Sequence, residues 1–321
     1  MKRPVALKVL RESLATHEGL RRRCEREAQI MAGLAHSNVV AVHDVGEAAG
    51  RSFLAMELVD GRSLAEILAG PRMELRSMLA LLEKAARGLG AAHQQGIVHR
   101  DVKPANILVA KDSGEPKVAD FGLAHLADSQ TGLTETGAIL GTPLYMAPEQ
   151  ITGDRVISPR TDVYALGAVL YEALTGHPPH MGQTTVELLR KIPLEEPAAP
   201  RKIDPRVPAD VETICLKALE KSPASRYANG TELAEDLRRY LAGEPILATP
   251  AGSVVRAAKW IRRHPATSGM TSLAALSILT LGIVIAANAA GRAREKRESL
   301  DRCLVKGRTA LKAYEDVTRR L

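Results

Sequence analysis

The chain has 321 residues, 45% of them apolar and 25% charged, with a formal net charge of +7. This composition excludes a disordered polyelectrolyte and a collagen-like or disulfide-dense scaffold, and it supplies enough apolar material for one large domain or two moderate ones. The charge is uneven: residues 256–321 hold 14 Lys and Arg against 5 Asp and Glu, whereas the first 255 hold 30 against 32, so the basicity flanks an apolar run and points to lipid headgroups, not nucleic acid.

Residues 5–10 read as a short buried strand carrying one charge, Lys8. Over 18–34 the spacing becomes helical, and Glu27 falls on the same stripe as Leu20, Cys24, Met31 and Leu34. An inward carboxylate is costly unless paired, and Lys8 is its expected partner. Extended segments are predicted over 39–45 and 53–58, and Asp60-Gly61 closes this strand-rich part. From 73 to 95 the apolar positions Leu75, Met78, Leu79, Leu82, Ala86 and Leu89 recur at helical spacing, with Gly96 as the stop. Residues 161–175 are apolar almost all round and too short to span a bilayer, which predicts a buried central helix. His177-Pro178-Pro179-His180 reads as a loop and not a metal pair, because the prolines break helical spacing. The Pro-rich stretch 193–208 is expected to be a surface connection, followed by helices over 209–220 and 230–241 and the end of the globular pattern near Pro245.

Residues 266–290 contain no charged side chain, and 273–290 are mostly Leu, Ile, Val and Ala. At about 1.5 Å per residue they are long enough for a ~30 Å hydrocarbon core, so a single transmembrane helix is expected. Ser272, Ser277, Thr280 and Asn288 leave a buried helix of a further domain as the alternative. Arg256, Lys259, Arg262 and Arg263 precede the run and Arg292, Arg294, Lys296 and Arg297 follow it, so basic residues do not fix its orientation. Gly282 and Ala286 form a small-xxx-small pair that would suit a homodimer. Cys24, Cys215 and Cys303 are far apart and lack metal-type spacing, which reads as reduced and structural. No N-terminal stretch has the pattern of a secretory signal.

The most specific chemistry lies in His99-Arg100-Asp101-Val102-Lys103-Pro104-Ala105-Asn106 and in Asp120-Phe121-Gly122, whose aspartates are nineteen residues apart. Two carboxylates and an amide in this order supply a base and magnesium ligands for phosphoryl transfer. Val5-Ala6-Leu7-Lys8, Glu27, Met56-Glu57-Leu58-Val59, Ala147-Pro148-Glu149, Asp162 and Arg226 add matching pieces on both sides. By these residues the chain resembles the eukaryotic-like protein kinases of the bacterial Ser/Thr type over roughly residues 1–246, and the order of domain, basic stretch and membrane span is similar to receptor-like members.

The resemblance implies an α+β, two-lobed protein-kinase-like fold: a small lobe over 1–60, a helical lobe over 61–246, a basic juxtamembrane linker over 247–265, a transmembrane helix over 266–290 and a basic helical tail over 291–321. It implies ATP and Mg2+ as cofactors, Ser/Thr-bearing proteins as substrates, and a single-pass protein of the bacterial cell membrane with its kinase part in the cytoplasm. Lys8 would hold the nucleotide phosphates, fixed by Glu27, while Glu57 and Val59 of the hinge would face adenine. Asp101 would orient the acceptor hydroxyl with Lys103 beside it, and Asp120 and Asn106 would hold the metal. Lys103 with Thr142 is the pattern of Ser/Thr acceptors. Arg100 would receive phosphate on a loop bearing Thr131, Thr134 and Thr136, and Glu149, Asp162 and Arg226 would be structural. Only seven residues precede Lys8 and no GxGxxG occurs, so the expectation is an incomplete small lobe. The other reading is a catalytically impaired pseudokinase serving as a membrane-tethered scaffold.

Overall fold

The computed structural model describes residues 4–9, 31–48, 51–121, 143–153 and 157–249, with three isolated positions beyond them. Residues 1–250 form one compact unit and 251–321 a second; all elements below belong to the first. The lobe boundary expected at residue 60 falls inside that unit, between two sheets.

The first sheet is antiparallel in the order β1 (Val5–Val9), β3 (Arg51–Glu57), β2 (Val42–Ala48). Strand alternation puts Lys8 on the half-shielded face and exposes Val5, Leu7 and Val9. The expected buried strand is therefore inverted: the charge is turned inward toward the site, and the period of two forces its apolar neighbours outward. The strand expected over 39–45 begins later, because Val39 instead bridges Val118 in parallel and the Val40 N–H donates to the Val118 carbonyl at 2.9 Å.

A second antiparallel sheet runs β4 (Gly61–Ser63), β5 (Ile107–Ala110), β6 (Pro116–Val118). The open end of its β5–β6 hairpin carries both the candidate loop, before Ile107, and Asp120, after Val118. Ser63 caps helix α1 (Leu64–Leu68) in a capping box with Glu66. Helix α2 spans Leu75–Gln94, two residues inside the periodic pattern at its start, since Glu74 takes the cap and its carboxylate accepts the Arg76 and Ser77 N–H groups. Gly96 ends the turn at φ +76°, a conformation glycine adopts without steric cost.

Helices α3 (Pro148–Thr152), α4 (Pro159–Thr175), α5 (Thr185–Leu194), α6 (Pro200–Ile203), α7 (Ala209–Ala218) and α8 (Gly230–Ala242) complete the unit. Helix α4 is buried nearly all round, with Tyr164 and Tyr171 at its centre. The stretch predicted as a surface connection is more ordered than that: Pro193 sits in the last turn of α5, α6 lies within it, and Asp204 is held by Arg72 at 2.7 Å and Arg206 at 2.9 Å. Helices α2 and α8 approach so closely that a Cβ on Gly230 would lie 2.4 Å from the Ala86 carbonyl oxygen. Buried Asp236 accepts the Tyr227 hydroxyl and the Leu247 and Ala248 N–H groups, so the packed unit extends past the expected end at 246. Among the described residues no helix is long and apolar enough to cross a membrane; the span and tail expected over 266–321 lie outside the described stretches.

Candidate active site

The loop between α2 and β5 folds around Asp101. Its Oδ2 accepts Lys103 Nζ at 2.7 Å and Asn106 Nδ2 at 3.2 Å, and the same Nδ2 donates to the Asp101 carbonyl at 2.8 Å. The Asn106 amide thus spends its donor end on Asp101 and leaves its oxygen for another partner. The 3-10 turn Pro104–Asn106 delivers this amide directly into β5.

Arg100 has φ +67°, the left-handed region that costs a non-glycine residue on the order of 1–3 kcal/mol. Buried Asp162, in the first turn of α4, holds this conformation. Its Oδ1 accepts the Arg100 N–H at 2.8 Å, and its Oδ2 accepts the His99 N–H at 2.7 Å and His93 Nε2 at 2.9 Å. His93 Nδ1 accepts the Gly230 N–H at 3.1 Å, so its Nε2 carries the hydrogen facing Asp162. Sequence reading missed His93, although it stands one turn beyond Leu89 on the buried stripe of α2, where a polar side chain needs partners. His99 is similarly placed: Nδ1 accepts the Asp101 N–H, Nε2 faces the Ala119 carbonyl at 2.9 Å, and its ring lies 4.5 Å from that of Phe121. Burial pushes the His99 pKa down and outweighs the opposing pull of Asp162, so the ring is neutral.

Asp120 faces the loop from the end of the hairpin. Its backbone is left-handed at φ +59°, and the preceding Ala119 N–H donates to the Asn106 carbonyl at 2.8 Å. Lys8 Nζ lies 2.9 Å from Asp120 Oδ1. Behind that ion pair is an apolar pocket lined by Val40, Val42, Leu54 and Met56. The structure therefore gathers Asp101, Lys103 and Asn106 in one loop, and the Ala119–Asn106 backbone bond ties that loop to the end of β6 that leads into Asp120, the partner of Lys8.

Of the two hinge residues, Glu57 ends β3 and Val59 follows it. The Glu57 carboxylate is turned to Lys117, 2.9 Å away, and accepts the Ala41 N–H. Val59 is half-buried just beyond the strand, and neither residue lines the pocket. Glu27, Thr131, Thr134, Thr136 and Thr142 lie outside the described residues.

Below the cleft, Glu149 and Arg226 form a buried two-pronged pair at 2.7 and 2.8 Å, and Thr161 Oγ1 donates to the same carboxylate. Burial disfavours the Glu149 charge, but Arg226 and the other donors hold its pKa below the ordinary carboxylate value. The Arg226 guanidinium also stacks over the Tyr164 ring, and Lys221 meets the same tyrosine from its hydroxyl side.

Lys221 is 8% exposed and its Nζ lies 2.9 Å from His180 Nε2. Burial first and Arg226 second push the Lys221 pKa down to about 7, against the upward pull of Glu195 and Glu220; burial, Lys221 and Lys191 push His180 down to about 3. Between about pH 7 and the ordinary lysine value of 10.5 the unfolded chain holds a proton at Lys221 that the folded chain lacks, so stability rises with pH over that window. The expected contribution is a slope of up to about 1.4 kcal/mol per pH unit. Lys221→Met removes it, and thermal melts of wild type and variant from pH 7 to 10 measure the difference; parallel curves would refute the assignment.

Comparison with known proteins agrees with this geometry. The protein kinase domain family matches residues 1–237. The chain belongs to the protein kinase domain family. It is 43% identical over 250 residues to the serine/threonine-protein kinase PknB of Mycobacterium tuberculosis, covering 76% of this chain and 40% of that one. To PknB of Mycolicibacterium smegmatis it is 37% identical over 322 residues, 90% of this chain and 51% of the other. Among solved structures, the PknI kinase domain of M. tuberculosis superposes with a TM-score of 0.58 at 30% identity, covering 74% of this chain and 85% of that one. The kinase domain here is of the bacterial Ser/Thr type, and the chain spans about 40 to 50% of the length of these PknB relatives.

Proposed function

We propose that this chain is the catalytic part of a membrane-anchored Ser/Thr protein kinase, which transfers the γ-phosphoryl group of ATP to Ser and Thr hydroxyls of proteins. The observation that carries this reading is Asp101 with Lys103 and Asn106 bound to it in one loop, 2.7 and 3.2 Å away, facing an Asp120 held by Lys8. Asp101 accepts the hydrogen bond of the acceptor hydroxyl and takes its proton as the bond to phosphorus forms. Lys103 keeps that carboxylate aimed and offers positive charge beside the transferring group. Lys8 has an exposed, weakly held partner in Asp120, so its ammonium is free to turn to the nucleotide phosphates at little cost, with Glu27 as its brace. The Asp120 carboxylate and the Asn106 amide oxygen are the hard donors that Mg2+ prefers, so these residues fit the ion. When bound it would neutralise charge on the phosphate oxygens.

The backbone clamp on Arg100 gives its guanidinium a fixed root, which supports pairing with phosphate on Thr134 or Thr136 as the activating event. The uncharged run over 266–290, flanked by basic residues, supports the single membrane span, with the kinase part on the ATP side. The test is γ-labelled phosphate transfer by the full chain in detergent-solubilised membranes to matched Ser, Thr and Tyr peptides, with mass spectrometry of the chain itself. Expected are labelled Ser and Thr peptides, an unlabelled Tyr peptide, and phosphate within 129–136. Absent transfer would favour the scaffold reading, and transfer equal after Asp101→Asn would count against Asp101 as the base; recovery of the chain in the soluble fraction would sink the anchor.

A further inference from the structure

The peptide group joining Arg100 to Asp101 is held from both sides. Its N–H, that of Asp101, donates to His99 Nδ1 at 3.2 Å, and its carbonyl oxygen accepts Gln150 Nε2 at 2.9 Å. Gln150 belongs to α3, the short helix that closes the segment after Asp120. Its other amide end, Oε1, accepts the N–H of Ala147 at 2.9 Å, the residue that caps this helix. One side-chain amide thus joins the end of that segment to the carbonyl immediately before Asp101, using a donor on one partner and an acceptor on the other. Arg100 needs such support, because its left-handed φ of +67° persists only where the surroundings over-determine it. Asp162 accepts the Arg100 N–H at 2.8 Å and so holds the residue on its N-terminal side; Gln150, on the Arg100 carbonyl, holds it on the C-terminal side.

We propose that Gln150 is a positioning residue for phosphoryl transfer: it aims the Asp101 carboxylate through the Arg100 carbonyl, and it makes that aim depend on the seating of helix α3 on its Ala147 cap. The proposal rests on the kinase reading above. Neither partner is a side chain, so nothing in the residue spacing announces the link. It also explains why an amide serves here and a carboxylate of equal size does not. An ionised carboxylate would still accept from Ala147 but would set an oxygen lone pair against the Arg100 oxygen.

Gln150→Glu and Gln150→Met test this. Loss of one hydrogen bond in the positioning of a reacting group is expected to lower kcat about ten- to hundredfold in both variants, with the KM for ATP within about twofold, because the nucleotide side of the cleft is untouched. The introduced carboxyl regains a donor when protonated, so the ratio of Gln150→Glu to wild-type activity is expected to climb as pH falls from about 7.5 toward about 5, while the ratio for Gln150→Met stays flat. A structural role alone would move the melting temperature and leave that pH ratio unchanged. Hydrogen exchange gives a readout independent of turnover: the Asp101 amide is expected to lose protection in both variants. Equal kcat in the three proteins, or equal Asp101 protection, overturns the proposal. If wild type itself transfers no phosphate, the kinase reading has failed, and Asp101 protection alone decides whether Gln150 holds the loop.

Discussion

Replacing Asp101 with Asn is expected to lower kcat by about 10²- to 10⁴-fold, the range for losing a positioned proton acceptor, while the melting temperature and the KM for ATP stay near wild type. The separation of effects follows from where the carboxylate sits. Its side chain is 36% exposed and packs against no apolar core, so removing its charge leaves the fold intact. Asn retains an oxygen for Lys103 and for Asn106, which lie 2.7 and 3.2 Å from Oδ2, so the loop keeps its shape. What the amide cannot do is take a proton. Steady-state transfer to a Thr peptide, measured beside a melting curve, checks both halves. A variant within about threefold of wild type would remove Asp101 from the chemistry, since general-base losses are far larger than that.

Arg226→Ala carries the largest expected loss of stability. The guanidinium is fully buried and makes five hydrogen bonds: two to the Glu149 carboxylate and one each to the carbonyls of Glu220, Arg160 and Lys221. Truncation strands a Glu149 carboxylate that is itself 5% exposed. Removing one member of a buried pair costs about 3–5 kcal/mol, which for a unit of this size lowers the melting temperature by roughly 10 °C. The pH dependence has a definite sign. The pair holds the Glu149 pKa below its ordinary 4.5, so its contribution is present above that value and fades as pH falls through the folded-state pKa. Arg226→Ala is expected to be most destabilised near neutral pH and to approach wild type in acid. The double replacement Glu149→Leu with Arg226→Leu is expected to recover part of the loss, because it leaves no unpaired buried charge. A neutral-pH melt within about 2 °C of wild type would contradict the account.

The parts of the site legible beforehand share one property: their chemistry dictates both residue type and spacing along a single loop. Asp101, Lys103 and Asn106 fall within six residues and contact one another in the fold. Asp120 follows a two-strand hairpin whose short turn allows little choice of length. The helices were legible where apolar positions recur, and the start of α2 was displaced because the Glu74 side chain took the cap. What stayed hidden depends on partners remote in sequence. His93 finds Asp162 across 69 residues, Gln150 finds the Arg100 carbonyl across 50, and Lys221 finds His180 across 41. Glu57 is a further case: its carboxylate meets Lys117, 60 residues away.

Taken alone, the order of residues pointed to a protein kinase domain, because a base, metal ligands and a lysine at these spacings are what phosphoryl transfer asks for. It also determined where α2, α4, α7 and α8 run, since periodic burial of apolar groups leaves few alternatives. Only the tertiary structure decided how the Asp101 carboxylate is aimed. The strained Arg100 backbone is held by an aspartate from α4 and an amide from α3, and such clamps arise when distant elements pack, since a side chain meets a remote backbone carbonyl only after the core has brought the two together.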